Sequence, residues 1–235
     1  MQKYSVFSLI KNAFSDHQNW EVAWKDPTPK KEYDVIIIGG GGHGLATAYY
    51  LAKEHNITNV AIIEKGWIGG GNVGRNTTII RSNYMHDDNA LFSEFGMDLW
   101  RKMSQDLNYN VMFSPRGIIN LAHSDAQMNA YSRRGNSMRL NGIDAVLLNR
   151  EEVQKRIPMA DFSDNVRFPI FGGLMQPSAG TARHDAVAWG YARQADSMGV
   201  DIIQNCEVTG FDVNNGKIVG VRTSRGDIKA KKVGL

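Results

Sequence analysis

A near-continuous β-branched run, Tyr33-Asp34-Val35-Ile36-Ile37-Ile38, leads straight into Gly39-Gly40-Gly41-Gly42-His43-Gly44. An apolar run of this kind suits a parallel strand covered on both faces. Leu45 to Glu54 then reads as a helix with Ala, Leu and Tyr on its inner side, and Asn59 to Glu64 as a second buried strand. The three segments make a βαβ unit at the start of a doubly wound sheet. Within it, Gly39-x-Gly41-x-x-Gly44 has the spacing of a dinucleotide loop. The first glycine permits the tight turn, the second a close approach of pyrophosphate, and the third close packing of helix on strand. Glu64 ends the second strand twenty residues after Gly44, suitably placed for ribose hydroxyls, and an acid there argues against a 2′-phosphate. The fingerprint does not choose between FAD and NAD.

A second glycine cluster, Gly69-Gly70-Gly71 with Asn72, Gly74 and Arg75, precedes Asn76-Thr77-Thr78-Ile79-Ile80-Arg81. It suits either a second wrap around a pyrophosphate, which favours FAD, or a surface loop. The four-residue recurrence of Leu91, Phe95, Leu99 and Met103 predicts a helix from Asp87 to Leu107 with these residues as its inner stripe. Strands are expected at Val111–Phe113 and Gly117–Leu121, and helices at Asp125–Asn141, Arg150–Arg156 and Asp185–Met198. Short strands near Glu207–Val213, Lys217–Thr223 and Ile228–Val233 close the chain, with turns at Asn214-Asn215-Gly216 and Arg225-Gly226.

Size and charge narrow the function classes. The 235 residues, 42% of them hydrophobic, support a sizeable core. A net charge of +3 is too small to point to nucleic acid or a membrane surface. The single cysteine, Cys206, excludes an internal disulfide, fits a reducing compartment, and reads as a small core residue rather than a reactive thiol. No apolar run approaches the roughly 20 residues of a membrane span. The apolar patch Val6–Ile10 is short for a signal peptide. Residues from Met1 to about Trp24 read as an amphipathic arm and Asp26–Lys31 as an extended linker, so a cytoplasmic protein is expected. The chain stops where an apolar strand is beginning, and an incomplete sequence is expected on that ground.

The stretches GGGGHGLATAYYLA and IIEKGWIGGGNVGRNTTIIRSNY resemble the glycine-oxidase and sarcosine-oxidase group of FAD enzymes. The wording is similar to that of the beta subunits of heterotetrameric sarcosine oxidases. The likeness continues through FSPRGIINLAH, QPSAGTARHDAVAW and MGVDIIQNCEVTGF, covering about Tyr33 to Leu235. It implies an α/β fold: a Rossmann-like FAD-binding domain (33–85 and 181–235), part of an antiparallel β-sheet substrate domain (86–180), and an N-terminal arm and linker (1–32). It implies non-covalent FAD, with Gly39, Gly41, Gly42, His43, Gly44, Glu64, Lys65, Asn72, Arg75, Asn76, Thr77 and Val208 as cofactor-binding residues. No metal is expected.

The resemblance also assigns roles. Arg81 matches an arginine that binds the substrate carboxylate in related amine oxidases; a guanidinium suits that task through two parallel hydrogen bonds. The alternative for Arg81 is a surface arginine or a structural salt bridge. His184, in TARHDAVAW, matches the histidine to which these subunits attach FMN covalently, although a lone His at a helix start is otherwise a capping or surface residue. Arg183 beside it is placed to favour anionic phosphate or reduced flavin. The implied reaction is oxidation of sarcosine, or a related N-methyl amino acid, to glycine and formaldehyde or methylene-tetrahydrofolate. Electrons would pass from FAD to FMN and on to oxygen, with formation of H2O2. The implied partners are the alpha, gamma and delta subunits. Family members run well beyond this chain's end and supply a further carboxylate cation there. Two alternatives stay open: a related oxidoreductase for another amino acid such as dimethylglycine, and a non-catalytic flavin-binding scaffold subunit.

Overall fold

A computed structural model describes residues 5–18 and 22–235. In chain order the elements are α1 (Val6–Phe14), β1 (Glu32–Ile38), α2 (Gly42–His55), β2 (Val60–Ile63), β3 (Ile79–Ile80), α3 (Asp87–Asp106), β4 (Ile118–Ala122), α4 (Asp125–Leu140), β5 (Val146–Asn149), α5 (Arg150–Arg156), β6 (Gly172–Gln176), β7 (Gly180–Thr181), α6 (His184–Ser197), β8 (Asp201–Ile203), β9 (Val208–Asn214), β10 (Lys217–Thr223) and β11 (Ile228–Gly234). The expected N-terminal arm is helical as α1; its residues 1–4 and 19–21 lie outside the described residues. No helix among the described residues is long and apolar enough to cross a membrane.

The chain divides into two compact units. The first runs to Thr77 and takes in Gln105–Val111 and Arg183–Leu235; the second holds Thr78–Ser104 and Met112–Ala182. Two local contacts set these limits. Pairing of β3 with β7 assigns the chain from Thr78 onward to the second unit. Gln194 Nε2 donates to the Leu107 carbonyl at 2.7 Å, and a Cβ on Gly190 would touch Leu107 and Tyr109, which returns Gln105–Val111 to the first.

The first unit is built on a six-stranded sheet in the order β8-β2-β1-β11-β10-β9. β1 lies centrally, parallel to both β2 and β11, which is why its run of Ile and Val is unbroken by polar residues. Tyr33, Ile36, Ala61, Ile63, Ile203, Val221 and Ile228 form a core cluster that also buries the free thiol of Cys206. β11, β10 and β9 make an antiparallel meander. Its tight β9–β10 turn places Asn215 and Gly216 at φ +49° and +74°, the left-handed geometry that an Asn-Gly pair accepts at little cost. α2 packs on α6, with the rings of Tyr49 and Tyr191 edge to face at 5.4 Å.

The second unit holds the antiparallel sheet β4-β6-β5 and the short pair β3-β7. β3, β5, β6, β7 and β8 do not appear in the sequence reading. β6 is the central strand of its sheet yet begins with two glycines. A Cβ on Gly172 would fall 2.4 Å from the Leu148 carbonyl oxygen, and one on Gly173 would fall 2.9 Å from that of Asn120. The neighbouring backbones approach too closely for any side chain there.

Two expectations fail here. Val111–Phe113 is not a strand, because Met112 adopts φ +54°, outside extended geometry; only Ser114 makes an isolated bridge, to Thr181. In α3 the expected inner stripe is partly outside: Leu91 and Phe95 are exposed, and Ala90, Met97 and Met103 are buried. Successive steps of four residues advance about 40° around a helix of 3.6 residues per turn, so the stripe winds away from the covered face. A seven-residue step such as Ala90 to Met97 returns to it.

Candidate functional site

The turn between β1 and α2 is held by its own backbone. Gly39 has φ +109° and donates its N–H to the Ile63 carbonyl at 2.8 Å. A Cβ on Gly44 would lie 2.1 Å from the Gly39 carbonyl oxygen. The fold itself therefore demands glycine at both positions. Positions 41 and 42 differ. Gly41 has an ordinary extended backbone (φ −81°), and a Cβ there would meet only Val73 Cγ2, at 3.8 Å; at Gly42 the same atom would be 3.5 Å away. Among the described residues nothing forbids side chains at these two places, so their absence leaves a cradle in front of the helix. α2 begins at Gly42 with no side-chain cap, leaving first-turn N–H groups and the positive end of the helix dipole for an anion.

Glu64 closes the other side of the turn. Its Oε2 accepts from Gly40 N at 2.7 Å and its Oε1 from Gly66 N at 2.8 Å. Both bonds fix the carboxylate while leaving each oxygen a further lone pair for a hydroxyl donor. Lys65 is exposed beside it. Asn72, Arg75, Asn76 and Thr77 are all exposed, the first two on a 3-10 turn (Asn72–Arg75), and Val73 of that turn faces Gly41 and Gly42. His43 is exposed on the outer side of α2 beside Ala46 and Thr47. Val208 packs its side chain against the core cluster, so only its backbone remains for a ligand. Together the residues present fit a pyrophosphate-linked dinucleotide: an open glycine cradle, an uncapped helix start, and an acid at the end of the second strand.

In the second unit Arg81 follows β3. Its Nη1 donates to Asn83 Oδ1 at 2.9 Å, and its guanidinium lies 5.1 Å from the centroid of the Tyr84 ring. Among the described residues no carboxylate lies within ion-pair distance of Arg81, so its fork is largely free to donate. Ser82 and Asn83 beside it are fully buried, and both side chains are hydrogen-bonded. Ser82 N donates to Gln176 Oε1 (3.1 Å), Gln176 Nε2 to Ser82 Oγ (2.7 Å), and Ser82 Oγ to Glu94 (2.6 Å). Asn83 Nδ2 donates to Asn120 Oδ1 at 2.7 Å, and Arg134 Nη2 donates to the Asn83 carbonyl. Burial, then the nearby Arg81 charge, hold the Arg134 guanidinium below its usual pKa.

His184 is the first residue of α6 and is half-buried. Its Nδ1 is buried with no hydrogen-bond partner among the described residues. Arg183 does not lend it a free cation. Its guanidinium grips Asp185 through Nε–Oδ1 (3.0 Å) and Nη2–Oδ2 (2.5 Å), and Asp185 is held below the usual carboxylate range, first by that bond.

Against known proteins, the model of the FAD dependent oxidoreductase family matches residues 34–234. The chain belongs to that family. It is 62% identical over 99% of its length to sarcosine oxidase subunit beta of Rhizobium meliloti (strain 1021), covering 56% of that protein. It is 53% identical over its whole length to the subunit of the same name from Rhodobacter capsulatus, again covering 56% of it. Among solved structures, L-proline dehydrogenase from P.horikoshii superposes with a TM-score of 0.80 at 27% identity, over 87% of this chain and 52% of that one. The chain thus spans about half the length of the curated relatives it matches.

Membership in the FAD dependent oxidoreductases settles the choice that the glycine fingerprint left open between FAD and NAD. In this family member Arg134, Asn83 and Asn120 were not legible from sequence. They are single polar residues on α4, the loop after β3, and β4, and no spacing rule links them.

Proposed function

We propose that this chain is the greater part of the flavin-binding portion of a sarcosine oxidase beta subunit, acting with partner subunits. The reading is carried by the 62% identity to sarcosine oxidase subunit beta over 99% of the chain. The reaction is the oxidation of sarcosine with oxygen and water to glycine, formaldehyde and H2O2, or delivery of the one-carbon unit to tetrahydrofolate. FAD supplies the acceptor for the electron pair leaving the N-methyl group. The residues of this chain do the rest. The first-turn amides of α2 and the space at Gly41 and Gly42 receive the pyrophosphate, and Glu64 takes ribose hydroxyls. Lys65, Asn72, Arg75, Asn76 and Thr77 lie on the exposed stretches that would close over the cofactor, and the Val208 backbone offers a further contact. Arg81 takes the substrate carboxylate with the donors that Asn83 leaves free.

His184 would carry the covalent FMN. The burial of Nδ1 supports Nε2 as the atom that would be joined to it. The partner subunits would be those designated alpha, gamma and delta. In this reading FAD binding falls to residues 33–85 and 181–235, and substrate recognition to 86–180 together with Arg81. The test is anaerobic mixing of the intact holoenzyme with a panel of sarcosine, dimethylglycine and proline. Fastest bleaching of the flavin band by sarcosine is expected. Preference for dimethylglycine would make the protein a related oxidoreductase, and no bleaching by any amine would make it a scaffold subunit.

A further inference from the structure

Arg134, on α4, is a guanidinium without an acid. Among the described residues no carboxylate lies within ion-pair distance of it, its Nε is buried with no partner, and its one hydrogen bond goes from Nη2 to the Asn83 carbonyl. The cation that faces it is Arg81, whose charge works against its own. Arg134 is half-buried, and partly burying a cation beside a like charge is costly unless an anion joins them. Asn83 is the joint of the arrangement. Its carbonyl accepts from Arg134 and its Oδ1 from Arg81, while its Nδ2 donates to Asn120. Arg81 can only donate, so the Asn83 amide must present its oxygen to it, and Asn120 holds that orientation from the other end. Asn83 is fully buried, so the joint does not swing.

We propose that Arg134 is a positioning residue of the carboxylate site: it anchors Asn83, and through it Arg81, and adds a second positive charge to the field that the substrate carboxylate enters. This rests on the reading of Arg81 as the carboxylate ligand. A bound carboxylate neutralises a repulsion that the free protein carries, so part of the binding free energy comes from relieving it.

The experiment uses the intact holoenzyme and four variants: Arg134→Gln, Arg134→Lys, Arg81→Gln and the double Arg81→Gln/Arg134→Gln. Gln keeps a donor for the Asn83 carbonyl but removes the charge; Lys keeps both. For Arg134→Gln, the KM for sarcosine and the inhibition constant of acetate are expected to rise about tenfold, the scale of one charge-assisted hydrogen bond. Its kcat and flavin content should stay within about twofold. Arg134→Lys should recover most of the loss. The double variant should be little worse than Arg81→Gln alone, because the two residues act as a unit. If Arg81→Gln weakens acetate but Arg134→Gln does not, this inference is overturned and Arg81 keeps its role. If neither matters, the carboxylate reading itself is wrong. If Arg134→Gln does not fold, Arg134→Met removes the charge in its place: a rise of about tenfold in the inhibition constant of acetate supports the inference, and an unchanged constant overturns it.

Discussion

Gly44 and Gly39 face each other across the β1–α2 turn so closely that a Cβ on Gly44 would lie 2.1 Å from the Gly39 carbonyl oxygen. No real Cβ tolerates that distance, so α2 reaches its place only because position 44 has no side chain. Gly41 stands in the same loop without any such neighbour. Packing accounts for glycine at position 44 and not at position 41, where we propose that the ligand does.

Gly44→Ala is therefore expected to destabilise the protein with or without flavin, by at least about 1–3 kcal/mol, the cost of overpacking a closed site. Thermal unfolding of the apo and holo forms reads this directly. An unchanged apo melting temperature would mean that the turn relaxes around an added methyl group.

The Arg183–Asp185 pair gives a prediction on the acid side. Asp185 is held below its ordinary pKa, chiefly by Arg183. A depressed carboxylate contributes stability that is present above the unfolded pKa, about 3.9, and is lost as pH falls through the folded value. Asp185→Asn should accordingly lower the melting temperature at pH 7, and the gap to wild type should close as pH drops below about 4. A gap that is constant with pH would assign the effect to packing at the start of α6.

His184 predicts a covalent product. In acid-denatured holoenzyme assembled with its partner subunits, flavin should stay with this chain, raise its mass by one FMN, and map to the tryptic peptide containing His184. His184→Ala should release all covalent flavin and keep the FAD. Only free flavin in the wild type would point to a single-flavin oxidoreductase.

Much of the first unit was legible because its signals are local and periodic. The β-branched run of β1, the glycine spacing and the Asn-Gly turn each depend on residues adjacent in the chain. The central strand β6 was hidden because Gly172 and Gly173 have low strand propensity. They are glycines because the Leu148 and Asn120 carbonyls come close, a fact of the folded sheet alone. The stripe through Leu91 and Phe95 misled because four-residue spacing drifts around a helix. Arg81 was proposed through resemblance; Arg134 was not, since the carbonyl it bonds, that of Asn83, lies 51 residues away in sequence. Local chemistry reads from a string, and a cation's missing partner does not.

The most direct measurement is one absorbance spectrum taken before and after adding sarcosine, under anaerobic conditions, on Gly41→Val and Arg81→Ala holoenzyme. Gly41→Val fills the space that the fold leaves open, so the protein should fold but lose FAD's share of the flavin band, keeping only that of covalent FMN. Arg81→Ala should show the full band, and its bleaching should need at least about tenfold more sarcosine, the scale of a lost charged hydrogen bond. A full FAD band in folded Gly41→Val, or bleaching of Arg81→Ala at wild-type sarcosine concentrations, would contradict the account.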